Sequence, residues 1–185
     1  FDREACQFGY RESFFKRAGK DQYVIVSVTF RLDKKHILNT SYGTISQELE
    51  QMGILEPTIN DVSNAVIAIR SSKLPDTKVL GNAGSFFKNP VVAKELAEKI
   101  KKDFPDAAVY PAGDGLVKLA AGWLIEKAGL KGYDAGTHGV HDKQALVLVN
   151  KGSATGKEIF DLSTKVLQSV KEKFGVDLER EVNIL

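Results

Sequence analysis

The chain is 185 residues long, 43% hydrophobic and 27% charged, with a formal net charge of +2. That balance suits one large domain, or one domain plus part of another, with a sizeable core. Lys and Arg are interleaved with Asp and Glu, so no basic stripe marks a nucleic-acid partner. No apolar run approaches the roughly 20 residues of a membrane span, and the single cysteine, Cys6, excludes an internal disulfide.

No signal peptide is visible, and a reducing, cytoplasmic location is expected. The chain opens Phe1-Asp2-Arg3-Glu4-Ala5-Cys6 without a methionine, which reads as a fragment or a processed chain. Residues 23–30 alternate, Val24, Val26, Val28 and Phe30 against Ile25, Ser27 and Thr29, and read as a half-buried strand. Residues 35–38 read as a short partner in a sheet supplied mostly from upstream.

Helices follow. Thr58 with Asp61 makes a capping box, and Val62, Ala65, Val66 and Ile69 give a helical stripe ending near Ser71-Ser72, before Pro75. Asn89-Pro90 reads as an N-cap followed by a first-turn proline, opening a helix through Val92, Leu96 and Ile100 to Pro105. A further helix is expected over 117–128, closed by Gly129. Residues 145–150 read as a strand. Thr155 with Glu158 caps a long helix that buries Ile159, Leu162, Val166 and Val170 and stops at Gly175. A last strand is expected over 176–185. The order implies an α+β fold with mixed strands and helices packed on the sheet, and a boundary near 74–80.

Several segments could carry chemistry. In Gly81-Asn82-Ala83-Gly84-Ser85-Phe86-Phe87-Lys88-Asn89-Pro90, two glycines permit a tight turn and close approach to a ligand, with Ser85 just beyond it. The glycine spacing matches neither a dinucleotide fingerprint nor a P-loop, and no glycine follows the serine as a nucleophile elbow needs. On the residues alone, a plain loop and a ligand turn both remain open. The same holds for Tyr110-Pro111-Ala112-Gly113-Asp114-Gly115-Leu116-Val117-Lys118, an aromatic before a flexible loop. His138 and His141 lack a third metal ligand at convincing spacing, so no metal is expected. Glu179 and Glu181 would share one face of a strand.

Together these segments resemble one family, the UDP-N-acetylenolpyruvoylglucosamine reductases. The resemblance rests on Tyr10-Arg11-Glu12-Ser13-Phe14-Phe15-Lys16, Lys73-Leu74-Pro75, the stretches 81–90 and 110–125, Val140-His141 with Gln144-Ala145-Leu146-Val147, and Glu181-Val182. It covers essentially the whole chain, and the tyrosine loop resembles the type I branch. It implies an FAD flavoprotein that takes hydride from NADPH and reduces the enolpyruvyl ether of UDP-N-acetylglucosamine to UDP-N-acetylmuramate.

By that resemblance Ser85 matches the serine that protonates the substrate carbon, and Glu181 the carboxyl group that assists at the enol. Tyr10, Lys73, Asn89, Tyr110, Lys118, Lys131 and Gln144 match positions contacting the UDP-sugar, and Arg70 a position near the flavin or the active-site carboxyl. Residues 1–74 would end the FAD-binding domain, 75–175 would form the substrate domain, and 176–185 would return to the active site. The partner would be an upstream FAD-binding segment of the same polypeptide, carrying the catalytic arginine. Glu12 stands where the family more often has aspartate. The alternative reading is a non-catalytic nucleotide-sugar-binding module.

Overall fold

A computed structural model describes residues 1–184, which divide into two compact units, Phe1–Asn39 and the residues from Thr40 onward. The first unit is built on turns and a short 3-10 helix, Phe14–Lys16. Phe1, Phe14, Phe15 and Tyr23 gather there in edge-on and tilted ring pairs, with centroids 5.1 to 6.1 Å apart. The expected strand over 23–30 does not form, and neither does its partner over 35–38. Val24, Val26, Val28 and Phe30 are 65 to 90% exposed. Alternation supplies a strand's faces but not the neighbour its N–H and C=O groups need, and no described segment pairs with this one.

The second unit begins with two helices, α1 (Ile45–Gln51) and α2 (Ile59–Lys73), which enclose a small core of Ile45, Leu49 and Ala65. The capping box is present: Thr58 Oγ1 accepts from Asp61 N, and the Asp61 carboxylate accepts from Thr58 N. Helix α2 continues to Lys73 and gives way to extended backbone at Leu74, as a residue before proline should.

The larger core is α+β. One sheet has the order β1-β6-β5, from Gly81–Ser85, Val147–Asn150 and His138–Val140; the other has the order β2-β4-β3, from Val91–Ala93, Leu116–Leu119 and Val109–Pro111. All four pairings are antiparallel, so the mixed sheet expected from the element order is replaced by two small antiparallel ones. Helix α3 (Lys94–Asp103) packs on β2 and β4, and α5 (Gly156–Phe174) packs on β5, β6 and α4 (Ala121–Lys127). On α5, Leu162, Val166 and Val170 are buried as the stripe requires, each worth about 1.5–3 kcal/mol of apolar burial. Gly175 ends the helix at φ +68°.

Three expectations are corrected. Asn89-Pro90 starts no helix: 91–93 is a strand, and the helix begins at Lys94. The helix placed over 117–128 is strand β4 followed by the shorter α4, because residues 116–119 are the central strand between β2 and β3. The segment from 176 forms no named strand among the described residues and pairs there through a single bridge, Arg180 with Phe87 just beyond β1; Leu185, the end of the strand expected there, lies outside the described residues.

Candidate active site

Segment 81–93 runs from one sheet into the other, and the candidate residues hang from it. Its first part, β1, pairs with β6 at Gly81–Asn150, Asn82–Val149 and then Ser85–Val147, so one extra residue is accommodated between Asn82 and Ser85. This bulge is built by its own sequence. Asn82 Oδ1 accepts from Gly84 N at 3.0 Å, and Gly84 takes φ +71°, a conformation that strains any side chain. Bulges of this kind bend a strand and re-aim the next side chain, here the exposed Ser85.

Beyond Ser85 the chain is held on both edges. Phe86 N donates to Leu146 O at 2.7 Å, and Phe86 O accepts from Glu181 N at 2.8 Å. Lys88 N donates to Glu179 O at 2.9 Å, and Lys88 Nζ pairs with the Glu179 carboxylate at 2.5 Å. Phe86 and Phe87 are buried beneath this ladder. Residues distant in sequence, Ser85 and Glu181, therefore sit on adjacent main chains, Glu181 half-buried and Ser85 exposed.

Asn89 and Gln144 converge on the start of α4. Asn89 Oδ1 accepts from Ala121 N at 2.9 Å, capping a helix whose own N-cap residue, Ala120, has no side chain able to do so. Gln144 Oε1 lies close over Gly122, where an added Cβ would meet it at 3.2 Å. Gln144 also closes its own turn: its N–H donates to His141 Nδ1 at 3.2 Å, and its side-chain oxygen accepts from Leu146 N at 3.3 Å. His141 is thus a turn acceptor, and His138 Nδ1 lies 2.9 Å from the Thr137 hydroxyl. No group of three or more potential metal ligands is gathered among the described residues.

In the second sheet Lys118 lies between Val91 and Tyr110 as register partners, with its Nζ 5.9 Å from the Tyr110 ring centroid. The flexible loop expected after Tyr110 is a hairpin turn through Gly113 and Gly115, both at positive φ, with Tyr110 on the strand that leads into it.

The other assigned residues have surroundings of their own. Lys131 pairs with Glu126 at 3.0 Å, after the end of α4. Arg70 and Lys73 are exposed at the end of α2, and among the described residues neither side chain has a hydrogen-bond or ion-pair partner. Tyr10 belongs to the first unit, in the turn closed by the Gly9–Glu12 bridge, and is 49% exposed. A flavin requires an enclosing set of donors, and one exposed arginine is not one, so the described residues by themselves do not fit that group.

Sequence reading missed the residues that hold the site. Lys88 stands in the stretch 81–90 but has no assigned role, and Ser163, Thr164 and Arg180 carry no motif. The one available signal was Arg180 itself, a charge at an inward position between the apolar Val176, Leu178 and Val182. Beside the site, Ala83, Phe86, Gly156, Ile159, Phe160, Val182 and their neighbours line an open, mainly apolar hollow of about 600 Å³ that includes none of the assigned substrate residues.

Among the described residues, several carboxylates are held below the usual range. Lys127, then Trp123, lowers Asp106; Lys151, then the Gly136 N–H, lowers Asp134; Thr58 lowers Asp61; and Thr155 lowers Glu158.

The family model for UDP-N-acetylenolpyruvoylglucosamine reductase, C-terminal domain, matches residues 75–185. Curated relatives carrying the name UDP-N-acetylenolpyruvoylglucosamine reductase are similar along essentially the whole chain. The Flavobacterium johnsoniae protein is 55% identical over 100% of this chain and 55% of its own length. The Chromobacterium violaceum protein is 57% identical over 97% and 53%, and the Pseudomonas aeruginosa protein 52% identical over 100% and 54%. The chain therefore spans about half the length of the curated relatives it matches. A matched domain of 75–185 that contains the bulge at Ser85, the Tyr110–Lys118 pair and the Glu181 ladder places this chain in the UDP-N-acetylenolpyruvoylglucosamine reductase family.

Proposed function

We propose that this chain supplies the substrate-binding and proton-donating part of a reductase that converts UDP-N-acetylglucosamine enolpyruvate to UDP-N-acetylmuramate for peptidoglycan synthesis. FAD and NADPH provide the hydride chemistry of the whole protein, and an upstream FAD-binding segment is the partner of residues 1–74. The observation that carries this reading is the ladder that sets Ser85 and Glu181 on adjacent strands through Phe86.

The residue types suit the chemistry. Reduction of an enol ether beside a carboxylate builds negative charge on the carboxyl-bearing carbon. A small hydroxyl, that of Ser85, can deliver a proton there with little bulk, and the bulge fixes its direction. The Glu181 carboxyl group assists at the enol. Lys118 and Tyr110, side by side on the second sheet, suit the diphosphate as point charge and hydrogen-bond donor. Asn89 and Gln144 face the same helix start and bind the sugar nucleotide. Lys73, Lys131 and Tyr10 complete the substrate contacts, and Arg70 approaches the flavin, in the assembled protein.

The test uses the full-length reductase. Ser85→Ala leaves flavin reduction by NADPH intact and slows the substrate half-reaction by about 10²–10⁴-fold, the usual weight of a general acid. Undiminished turnover removes Ser85 from this role. Calorimetric binding of UDP-N-acetylglucosamine by a full-length protein with no redox activity would support the nucleotide-sugar-binding module instead.

A further inference from the structure

Arg180 sits at an inward position of the terminal segment. Val176 and Leu178 before it are buried, Val182 after it packs on the same core, and Asp177 and Glu179 between them face solvent. A guanidinium on that side must find acceptors or lose its hydration uncompensated. It finds them on α5: Nε donates to Ser163 Oγ and Nη2 to Thr164 Oγ1, both at 2.7 Å. Both hydroxyls spend their own protons on the Phe160 carbonyl, at 2.6 and 3.1 Å, so their lone pairs are what Arg180 meets. Its Cζ lies 4.3 Å from the Phe160 ring centroid, which closes a third side. Ser163 is fully buried, the one buried polar side chain among the described residues. No carboxylate pairs with Arg180 among the described residues, so this is a geometric hook rather than a salt bridge.

The hook acts where the ladder is shortest. Among the described residues the terminal segment meets the stretch just beyond β1 at one bridge, Phe87 with Arg180, flanked by the hydrogen bonds of Lys88 N to Glu179 O and Glu181 N to Phe86 O. A register slip of one residue there would turn Glu181 to the opposite face. With so few ladder bonds, register needs a side-chain anchor, and Arg180 is fixed to a rigid helix by a planar fork that a lysine cannot reproduce.

We propose that Arg180 is a positioning residue, which sets the register of the terminal segment through Ser163 and Thr164 and so places Glu181 beside Ser85. The inference rests on the catalytic reading of Glu181 above, and its test is built to separate the two.

The experiment uses the full-length reductase with Arg180→Met, Arg180→Lys and the milder Thr164→Val. Amide hydrogen exchange at 86–88 and 179–182 is followed by mass spectrometry, beside the two half-reactions. In Arg180→Met, exchange in both segments accelerates while that of α5 holds. The substrate half-reaction slows about 10- to 100-fold, as a displaced catalytic group would cause. Flavin reduction by NADPH is unchanged. Arg180→Lys recovers little, Thr164→Val shows the same pattern more weakly, and Arg180→Met adds nothing in a Glu181→Gln background. Unchanged exchange at 86–88 and 179–182 in Arg180→Met overturns the proposal, and so does an equal fall of both half-reactions. Should Glu181→Gln keep full turnover, the catalytic reading of Glu181 fails. Exchange then decides alone: acceleration upholds the register hook, and its absence overturns it.

Discussion

Asn89 Oδ1 accepts the backbone N–H of Ala121 at 2.9 Å, so an asparagine followed by proline caps a helix 32 residues further on rather than opening one of its own. The same side chain is assigned to the sugar nucleotide, and the bond ties it to α4 before any ligand arrives.

That bond predicts a contrast between two substitutions. Asn89→Ala leaves the N–H of buried Ala121 without its acceptor and costs about 1–2 kcal/mol, whereas Asn89→Asp keeps an acceptor and most of the stability. Urea denaturation of the full-length protein measures both. Equal stability of the alanine variant and the parent would show that the cap does not matter.

Gly84 tests the bulge. Nothing lies within 4 Å of an added Cβ, so at φ +71° the cost of Gly84→Ala is backbone strain alone, about 1–2 kcal/mol. The strain is relieved only by flattening the bulge, which turns Ser85 away. The expected outcome is a lower Tm with a substrate half-reaction at least about tenfold slower and an unaltered NADPH half-reaction. A variant with the lower Tm but normal substrate turnover would separate the bulge from the aim of Ser85.

Two other glycines should respond in opposite directions. A Cβ on Gly139 would overlap the Tyr133 carbonyl, which accepts from Val140 N at 2.8 Å, so Gly139→Ala must displace main chain and costs about 1–3 kcal/mol or more. Gly156, in the first turn of α5, has open space around it and no left-handed φ. Gly156→Ala should stabilise by about 0.4–1 kcal/mol, chiefly by restricting the unfolded chain. Paired thermal melts check both, and a stabilised Gly139→Ala variant would contradict the close packing of β5 on 133–134.

Asp106 predicts part of the acid response. The Lys127 ammonium and the Trp123 Nε1–H, at 2.9 and 3.2 Å, hold its carboxyl below the usual carboxylate value. A folded-state value below the unfolded one makes the contribution complete at neutral pH. It drains as pH falls from about 4 through the depressed value, because the unfolded chain then binds the proton first. Melting Asp106→Asn beside the parent should show a difference that is constant above about pH 5 and shrinks towards nothing in stronger acid. A difference that grows on acidification would reverse the sign of the argument. The carboxylate is exposed, so the effect is small and weakens with salt.

Local signals were legible wherever the physics is local. Both capping boxes, at Thr58–Asp61 and Thr155–Glu158, and the Gly175 stop rest on bonds within a few residues, and all are present. The buried stripe of α5 follows from helical spacing alone. Ser85, Tyr110 and Lys118 could be singled out because their segments are distinctive as strings. Strands were less legible. The alternation of 23–30 marks two faces but cannot supply a neighbour, while 116–119 and 138–140 became strands because neighbours were at hand.

What the amino-acid sequence by itself determined was thus the capped starts of α2 and α5, the glycine stop of α5, the α+β class and the family. The tertiary structure alone decided which distant groups meet. A backbone N–H is satisfied by whatever acceptor the fold brings within about 3 Å, and chain separation does not enter that choice. So Asn89 serves Ala121, Phe86 lies between Leu146 and Glu181, and Arg180 spends its fork on two hydroxyls of α5. None of those partners could be read from spacing, because each pairing is fixed by the packing of other elements between them.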